Sequence, residues 1–232
     1  MGYYSSYIYL IPAIILTLWA QFKVNRAYNR FSQVMSSKHI TGAQAAQYIL
    51  RENGINIPIQ QINGNLTDNY DPTSKVLNLS QGVYGSTSVA AIGIAAHECG
   101  HAIQDATNYS PLKLRKTFVP LANIGSRLSW PILIVGIIIG QMVSMDLGDM
   151  VFNVGVILFS FTVIFQLITL PVELNASRRA LDSISRLGLV SDDEEYRGAK
   201  KVLSAAALTY VAALAMAVMN LLRILAMRNN RR

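Results

Sequence analysis

The chain has 232 residues, of which 52% are hydrophobic and 14% are charged. A soluble globular domain carries about 25% charged residues, so this composition argues against an ordinary soluble protein and favours one that lies in a lipid bilayer. The net charge of +7 comes from basic residues beside long apolar segments, which is typical of membrane-flanking charge and argues against a nucleic-acid-binding protein.

The first apolar segment, residues 3–22, is predicted to be a transmembrane helix. At about 1.5 Å per residue, its length matches the roughly 30 Å of bilayer hydrocarbon. No basic region precedes it and no small-residue cleavage site follows it, which favours a retained anchor over a removable signal. Because Lys23, Arg26 and Arg30 follow it, the positive-inside rule places the N-terminus outside the cell and the next segment in the cytoplasm.

Residues 23–119 are predicted to form a mostly water-facing domain. Thr41 is a typical N-cap for a helix that Gly54 ends, and residues 86–88 can start a second helix.

Between these two helices, short alternating runs are interrupted by turn-forming residues. This pattern predicts a small antiparallel meander, with Asn63–Gly64 as a hairpin turn and residues 76–79 as its last strand.

Two further transmembrane helices are predicted at residues 121–143 and 151–171. Residues 172–202 form a polar helical segment, with Ser191 as a plausible N-cap. A fourth apolar segment, residues 203–227, is predicted to be transmembrane or membrane-associated, and a basic tail follows it. Four complete spans that start outside would leave this tail outside, against the positive-inside rule, so the sequence leaves the side of the tail open.

The motif HECGH lies in the second predicted helix of the water-facing domain. His97 and His101 are four residues apart, so on a helix they share one face and can bind one zinc ion. Glu98 is offset by about 100° around the helix, where it can miss the metal and act as a general base. The alternative is a pair of histidines that satisfy local polar groups. An apolar helix makes that alternative costly.

Two other residues of this helix are predicted to pack. Cys99, the one cysteine of the chain, excludes an intrachain disulfide and points away from the metal, as a small packing residue would. Gly100 weakens a helix, so its use is the close approach of another backbone or of substrate.

A catalytic zinc site usually has three protein ligands, and Glu173 is the favoured third ligand. His39 is a remote alternative in a polar loop, and Glu52, Glu194 and Glu195 have solvated positions that suffice for them. Glu173 follows an apolar segment, where an ionised side chain needs a partner. A zinc ion can be that partner. The other interpretation is an interfacial carboxylate paired with Arg178 or Arg179.

HECGHAIQ, followed after two spans by PVELNASRRALD, resembles the YugP-like family of membrane zinc metallopeptidases. More distantly, the chain is similar to the HtpX and CAAX-prenyl proteases, which are of the gluzincin type. The resemblance implies one catalytic Zn²⁺ held by His97, His101 and Glu173, with Glu98 as the general base. It implies a mostly α membrane protein, with three to four transmembrane helices and an α+β zincin-like catalytic domain at the membrane surface.

The resemblance also raises questions about the residues around the metal. In the distant relatives an aspartate four residues after the third ligand orients a histidine, whereas here that position is Ser177. Asn175, Ser177 or Asp182 is expected to take this role. Arg178 or Arg179 is expected either to stabilise the oxyanion or to flank the membrane.

A strand that pairs with extended substrate is a further expectation from the resemblance. The residues assigned to such an edge strand are Val76, Leu77, Asn78 and Leu79, with a purely structural strand as the alternative.

The resulting hypothesis is a multi-pass cell-membrane zinc endopeptidase that faces the cytoplasm. It hydrolyses peptide bonds with a zinc-activated water and Glu98 as the base. Its partners are a peptide or protein substrate, which can be membrane-associated, and the lipid bilayer, without nucleic acid. The alternatives are a site-2-type intramembrane protease and a catalytically silent, zinc-stabilised scaffold. The oligomeric state is open.

Overall fold

The computed structural model describes the backbone of residues 3–229 and the side chains of residues 7–228, and it is mostly helical. A 3-10 helix, Tyr3–Leu10, leads into the first α-helix. The α-helices are α1 Ile11–Phe31, α2 Gly42–Glu52, α3 Gln81–Tyr84, α4 Val89–Ala106, α5 Ser110–Met142, α6 Met145–Arg186 and α7 Asp193–Asn229. The strands are β1 Ile59–Ile62, β2 Asn69–Asp71 and β3 Val76–Ser80.

The chain divides into two compact units. The helical unit comprises Met1–Trp19, Lys113–Leu170 and Tyr210–Arg232. The mixed unit comprises Ala20–Leu112 and Pro171–Thr209 and contains the sheet.

Helices long and apolar enough to cross a membrane are found at four places in the described part of the chain. They are Tyr7–Phe31, Ser110–Met142, Met145–Arg186 and Asp193–Arg228. The helices extend beyond the predicted spans, because α5 begins at Ser110 and α6 continues through Pro171 to Arg186.

Small residues let the helices of the helical unit approach closely. A Cβ atom on Gly136 of α5 would lie 2.6 Å from the backbone nitrogen of Phe152 on α6. A Cβ on Gly148 would lie 2.4 Å from the backbone of Gly140. Such contacts are typical of helix packing in membranes, where small residues bring backbones together. The apolar core here consists of Leu133, Phe152, Phe159, Val163, Ala217 and Ile224.

The sheet of the mixed unit differs from the predicted antiparallel meander. Its strand order is β1-β3-β2, with β1 parallel and β2 antiparallel to β3. The hairpin turn predicted at Asn63–Gly64 is therefore wrong, because β1 and β2 are not neighbours. The physical reason lies in the loop between them. Asp68 accepts hydrogen bonds from the backbone and hydroxyl of Ser80, which draws the loop to the end of β3.

The predicted capping residues mark the starts of α2 and α4. Thr41 forms a reciprocal capping box with Gln44 at the start of α2, and Gly54 follows the helix with a φ of +67°. Ser88 caps α4 by accepting a hydrogen bond from the Ala91 backbone. The cap predicted at Ser191 is wrong. Asp192 accepts from the Glu195 backbone at 2.8 Å instead.

Helix α4 lies at the centre of the mixed unit. Its buried residues contact α2, β2 and β3. Cys99 is fully buried and its thiol donates to the Ala46 carbonyl, so its predicted packing role is confirmed. Burial raises the pKa of the Cys99 thiol well above its usual range. Because α4 is enclosed on several sides, its side chains have fixed positions.

Glu195, predicted to be solvated, is a buried carboxylate. It accepts hydrogen bonds from the backbone of Ser37 and the hydroxyl of Ser36, and one more from the backbone of Ser191. Its charge is thus satisfied largely by a loop whose Ser37 lies 158 residues away along the chain. The start of α7 and the loop after α1 are held together by this side chain.

Candidate metal centre

The HECGH segment lies within α4, so the helix period determines where its side chains point. His97 and His101 share one face, and their ring centroids are 4.9 Å apart. Both residues are half-buried. A ligand that reaches one ring can therefore reach the other.

Helix α6 brings Glu173 to the same place. A Cβ atom on Gly100 of α4 would lie 2.5 Å from the carbonyl oxygen of Ala176 on α6. Only a glycine permits this approach of the two backbones, as the sequence predicted for Gly100. Ala176 lies between Glu173 and Ser177 on α6, so the contact places both side chains next to the histidines.

The three side chains converge. Glu173 Oε2 lies 3.2 Å from His97 Nε2 and 3.4 Å from His101 Nε2. All three candidate ligand atoms lie within 4.8 Å of one another. Ligands at about 2.0–2.1 Å from a tetrahedral zinc are separated by about 3.3 Å, so the donor set and its spacing fit this metal.

The electrostatics of the cluster favour a cation. Burial alone raises the pKa of Glu173, but hydrogen bonds and charge from His101 and His97 outweigh it and hold that pKa below its usual range. Burial alone lowers the pKa of His101, whereas Glu173 and Glu98 raise it, and the net direction is upward. Because a metal must displace protons from the histidines, its affinity falls as the pH falls.

Each histidine ring has a second partner at its Nδ1 atom. The hydroxyl of Ser177 lies 3.2 Å from His97 Nδ1. The amide oxygen of Gln104 lies 3.0 Å from His101 Nδ1. These contacts turn the Nε2 atom of each ring toward Glu173, and such partners are what orient metal-binding imidazoles.

Glu98 lies beside the cluster and is 8% exposed. Its Oε2 accepts a hydrogen bond of 3.0 Å from the backbone nitrogen of Tyr70 in β2. The Tyr70 hydroxyl donates to Asp105, which also forms an ion pair with Lys75. Burial and Asp105 raise the pKa of Tyr70, so the phenol keeps its proton.

The other predicted neighbours have different positions. Asn175 and Arg179 are half-buried on α6, where the Arg179 Nε donates to Asn175 Oδ1 at 2.8 Å. Arg178 and Asp182 are exposed on the same helix, and His39 is exposed in a loop with a φ of +51°. The contacts to the histidine rings come from Ser177 and Gln104.

The prediction of an edge strand at Val76, Leu77, Asn78 and Leu79 is wrong. These residues belong to β3, which has β1 on one side and β2 on the other. Leu77 and Leu79 are fully buried because they point into the core. Within residues 3–229, the strand at the edge of the sheet that contacts the site is β2.

Sequence reasoning missed Gln104 and Tyr70. Gln104 is three residues after His101, a spacing that puts both on one face of a helix, and this signal was present. Tyr70 acts through its backbone nitrogen, which any residue except proline supplies, so its side chain gave no signal.

The comparisons with known proteins identify the family of the chain. The sequence model of a family described as "Putative neutral zinc metallopeptidase" matches residues 6–229, and the chain belongs to this family. The chain is 46% identical over 215 residues to "Putative membrane protease YugP" of Bacillus subtilis (strain 168), and the match covers 92% of each chain. No solved structure matches the chain. The predicted resemblance is confirmed.

Proposed function

We propose that the protein is an integral-membrane zinc endopeptidase. One observation carries the proposal: two histidines from α4 and a glutamate from α6 place three ligand atoms within 4.8 Å, and Glu98 lies beside them. The description of the family and the name of the relative support zinc and peptide-bond hydrolysis. A purely structural zinc site would not require Glu98.

His97, His101 and Glu173 would hold the ion. When bound there, zinc polarises the scissile carbonyl and lowers the pKa of a water molecule. The three side chains approach from two helices, which leaves the fourth position of a tetrahedral site to water or substrate.

Glu98 would act as the general base. The Tyr70 N–H holds its Oε2 at 3.0 Å, so the carboxylate has a fixed orientation. The second oxygen, Oε1, is the atom that takes a proton from the attacking water and returns it to the leaving amine.

Extended substrate would pair with β2 rather than with β3. Asn69 and Asp71 lie opposite Asn78 and Val76, and Tyr70, between them, directs its N–H toward Glu98. The main chain of Tyr70 therefore faces the site. A peptide that adds to this edge in the β-augmentation mode would lie along the base and pair with the Tyr70 carbonyl, because the Tyr70 N–H is bonded to Glu98.

The site would face the cytoplasm from a multi-pass protein in the cell membrane. Support comes from basic residues that follow the first apolar segment and precede the second: Lys23, Arg26, Arg30, Lys113, Arg115 and Lys116. Within the helical unit, the Arg223 guanidinium of α7 lies 4.7 Å from the centroid of the Tyr7 ring. This contact supports a fourth complete span, with the C-terminal tail on the side of the N-terminus.

The experiment that tests the proposal compares wild type with Glu98→Gln in detergent, measuring bound zinc and cleavage of an unfolded protein. We expect the variant to retain zinc and to lose about 10²–10⁴-fold in cleavage rate, because the base is removed and the ligands are kept. Glu194→Gln, at an exposed position, is the matched control and should behave as wild type. Equal cleavage by both proteins would reject Glu98 as the base, whereas bound zinc without cleavage by wild type would favour a silent zinc-stabilised scaffold.

A further inference from the structure

Gln104 connects the two helices that supply the metal ligands. It is fully buried on α4. Its Oε1 lies 3.0 Å from His101 Nδ1. Its Nε2 donates to the carbonyl of Val172 at 2.7 Å and to Asn175 Oδ1 at 3.1 Å, and both acceptors are on α6.

The direction of these hydrogen bonds follows from Arg179. A guanidinium only donates, so the Asn175 atom that it contacts at 2.8 Å is the amide oxygen. That same oxygen accepts from Gln104, so the Gln104 atom there is the NH₂ nitrogen, which also donates to the Val172 carbonyl. The remaining Gln104 atom is the oxygen, and it can only accept from His101.

We propose that Gln104 is a positioning residue that keeps the proton of His101 on Nδ1 and leaves Nε2 for the metal. Asn175 and Arg179 fix the orientation of the Gln104 amide. The proposal rests on the proposed function, because it assigns a role toward the zinc ion. It concerns a residue that does not itself contact the metal.

The two histidines differ in how firmly they are oriented. The Ser177 hydroxyl can donate to His97 Nδ1 or accept from it, so it does not determine the tautomer. The Gln104 oxygen can only accept, so it does determine the tautomer of His101. Because Gln104 also donates to Val172, the residue before Glu173, it holds the second and third ligands in one arrangement.

Zinc affinity of the purified full-length protein, measured by competition with a chelator, tests this role in Gln104→Met. The substitution keeps the length of the side chain and removes both polar atoms. We expect affinity to fall by about 10–100-fold, as when a neighbour of a metal ligand is lost. The visible spectrum of the Co²⁺-substituted protein should change too, because the His101 ring is released. Unchanged affinity and an unchanged spectrum would overturn the proposal.

Three further variants separate positioning from packing and from failure of the site itself. Cys99→Ala, which opens a small gap on the other side of α4, should bind zinc as wild type does. Gln104→Glu keeps the acceptor for His101 and should retain more affinity than Gln104→Met. If Gln104→Met does not fold, Arg179→Met takes its place in the test. A loss of zinc affinity smaller than about 10–100-fold supports the proposal. Unchanged zinc affinity in Arg179→Met overturns it.

His101→Ala separates failure of the Gln104 positioning role from failure of the metal centre itself. Loss of zinc in His101→Ala, with normal binding in Gln104→Met, would reject the positioning role and keep the metal centre. Normal binding in His101→Ala would reject both.

Discussion

The two units of the molecule differ in whether their buried polar groups have hydrogen-bond partners. In the mixed unit, the buried side chains of Glu98, Gln104, Glu173 and Glu195 all have hydrogen-bond partners. In the helical unit, the structure shows buried polar atoms without a hydrogen bond. They include Ser129 Oγ, Thr162 Oγ1, Thr169 Oγ1 and Arg223 Nε.

This difference shows that the positions of buried side chains are set by different forces in the two units. Hydrogen bonds in the mixed unit fix the ligands and the base, so the loss of one partner leaves another buried group unsatisfied. The helical unit is held by apolar packing and by close approach at glycines, and Arg223 is placed against the Tyr7 and Trp130 rings. Substitutions of polar groups should therefore be severe in the mixed unit and mild in the helical unit.

The largest expected effect is the loss of zinc in Glu173→Ala. The substitution removes a ligand and leaves two histidines, so zinc affinity should fall by more than the about 10–100-fold that loss of a ligand's neighbour causes. Zinc content after gel filtration measures this. Glu194→Ala, at an exposed position, should retain zinc. Full zinc content in Glu173→Ala would exclude this residue as the third ligand.

Two glycines of α4 provide a matched pair. Gly100→Ala places a Cβ 2.5 Å from the Ala176 carbonyl, so α4 and α6 must separate, at about 1–3 kcal/mol of unfolding free energy. In Gly93→Ala the new Cβ meets the Ala199 Cβ at an ordinary van der Waals distance of 3.6 Å. The higher helix propensity of alanine should therefore raise the free energy of unfolding by up to about 1 kcal/mol. Thermal unfolding in detergent checks both. Equal stability of the two variants would contradict the close contact at Gly100.

Glu195 should make the mixed unit sensitive to acid. Burial by itself raises the pKa of Glu195, but hydrogen bonds from Ser37, Ser191 and Ser36 lower it below the ordinary value of 4.5. Since the folded-state pKa is depressed, its stabilisation is present above about pH 4.5 and is lost as the pH falls through the lower folded value.

The thermal midpoint of Glu195→Gln, compared with wild type at about pH 7 and about pH 4, checks the acid sensitivity. We expect a lower midpoint at pH 7 and a smaller decrease on acidification than in wild type. Glu194→Gln is the control. A decrease on acidification as large as that of wild type would show that Glu195 is not the group responsible.

The smallest effect is expected in the helical unit. Thr169 is 3% exposed and its Oγ1 has no hydrogen-bond partner, so Thr169→Val keeps the shape and removes an unsatisfied oxygen. The free energy of unfolding in detergent should stay the same or rise, by about 1 kcal/mol at most. A clear loss of stability would show that the helical unit also depends on polar contacts.

Features set by near neighbours in the chain were predictable. Capping at Thr41 and Ser88 depends on residues three positions away, and the His97–His101 spacing depends on the helix period. The position of Glu173 beside His97 is an exception, since the two residues are far apart in the chain; it was predictable because a carboxylate next to an apolar segment needs a partner.

Features set by distant residues were not predictable. The pairing of β1 with β3 rather than β2 depends on the Asp68–Ser80 contact, and the burial of Glu195 depends on Ser36 and Ser37. A single sequence contains no signal for such contacts. The same applies to the backbone nitrogen of Tyr70.

X-ray absorption at the zinc edge of the purified protein tests the central claim most directly. One ion per chain should show nitrogen and oxygen ligands at about 2.0–2.2 Å, with the signature of two imidazole rings. Such a spectrum agrees with His97, His101 and Glu173. A sulfur ligand at about 2.3 Å, or a spectrum without imidazole, would contradict the account, because Cys99 is buried away from the cluster.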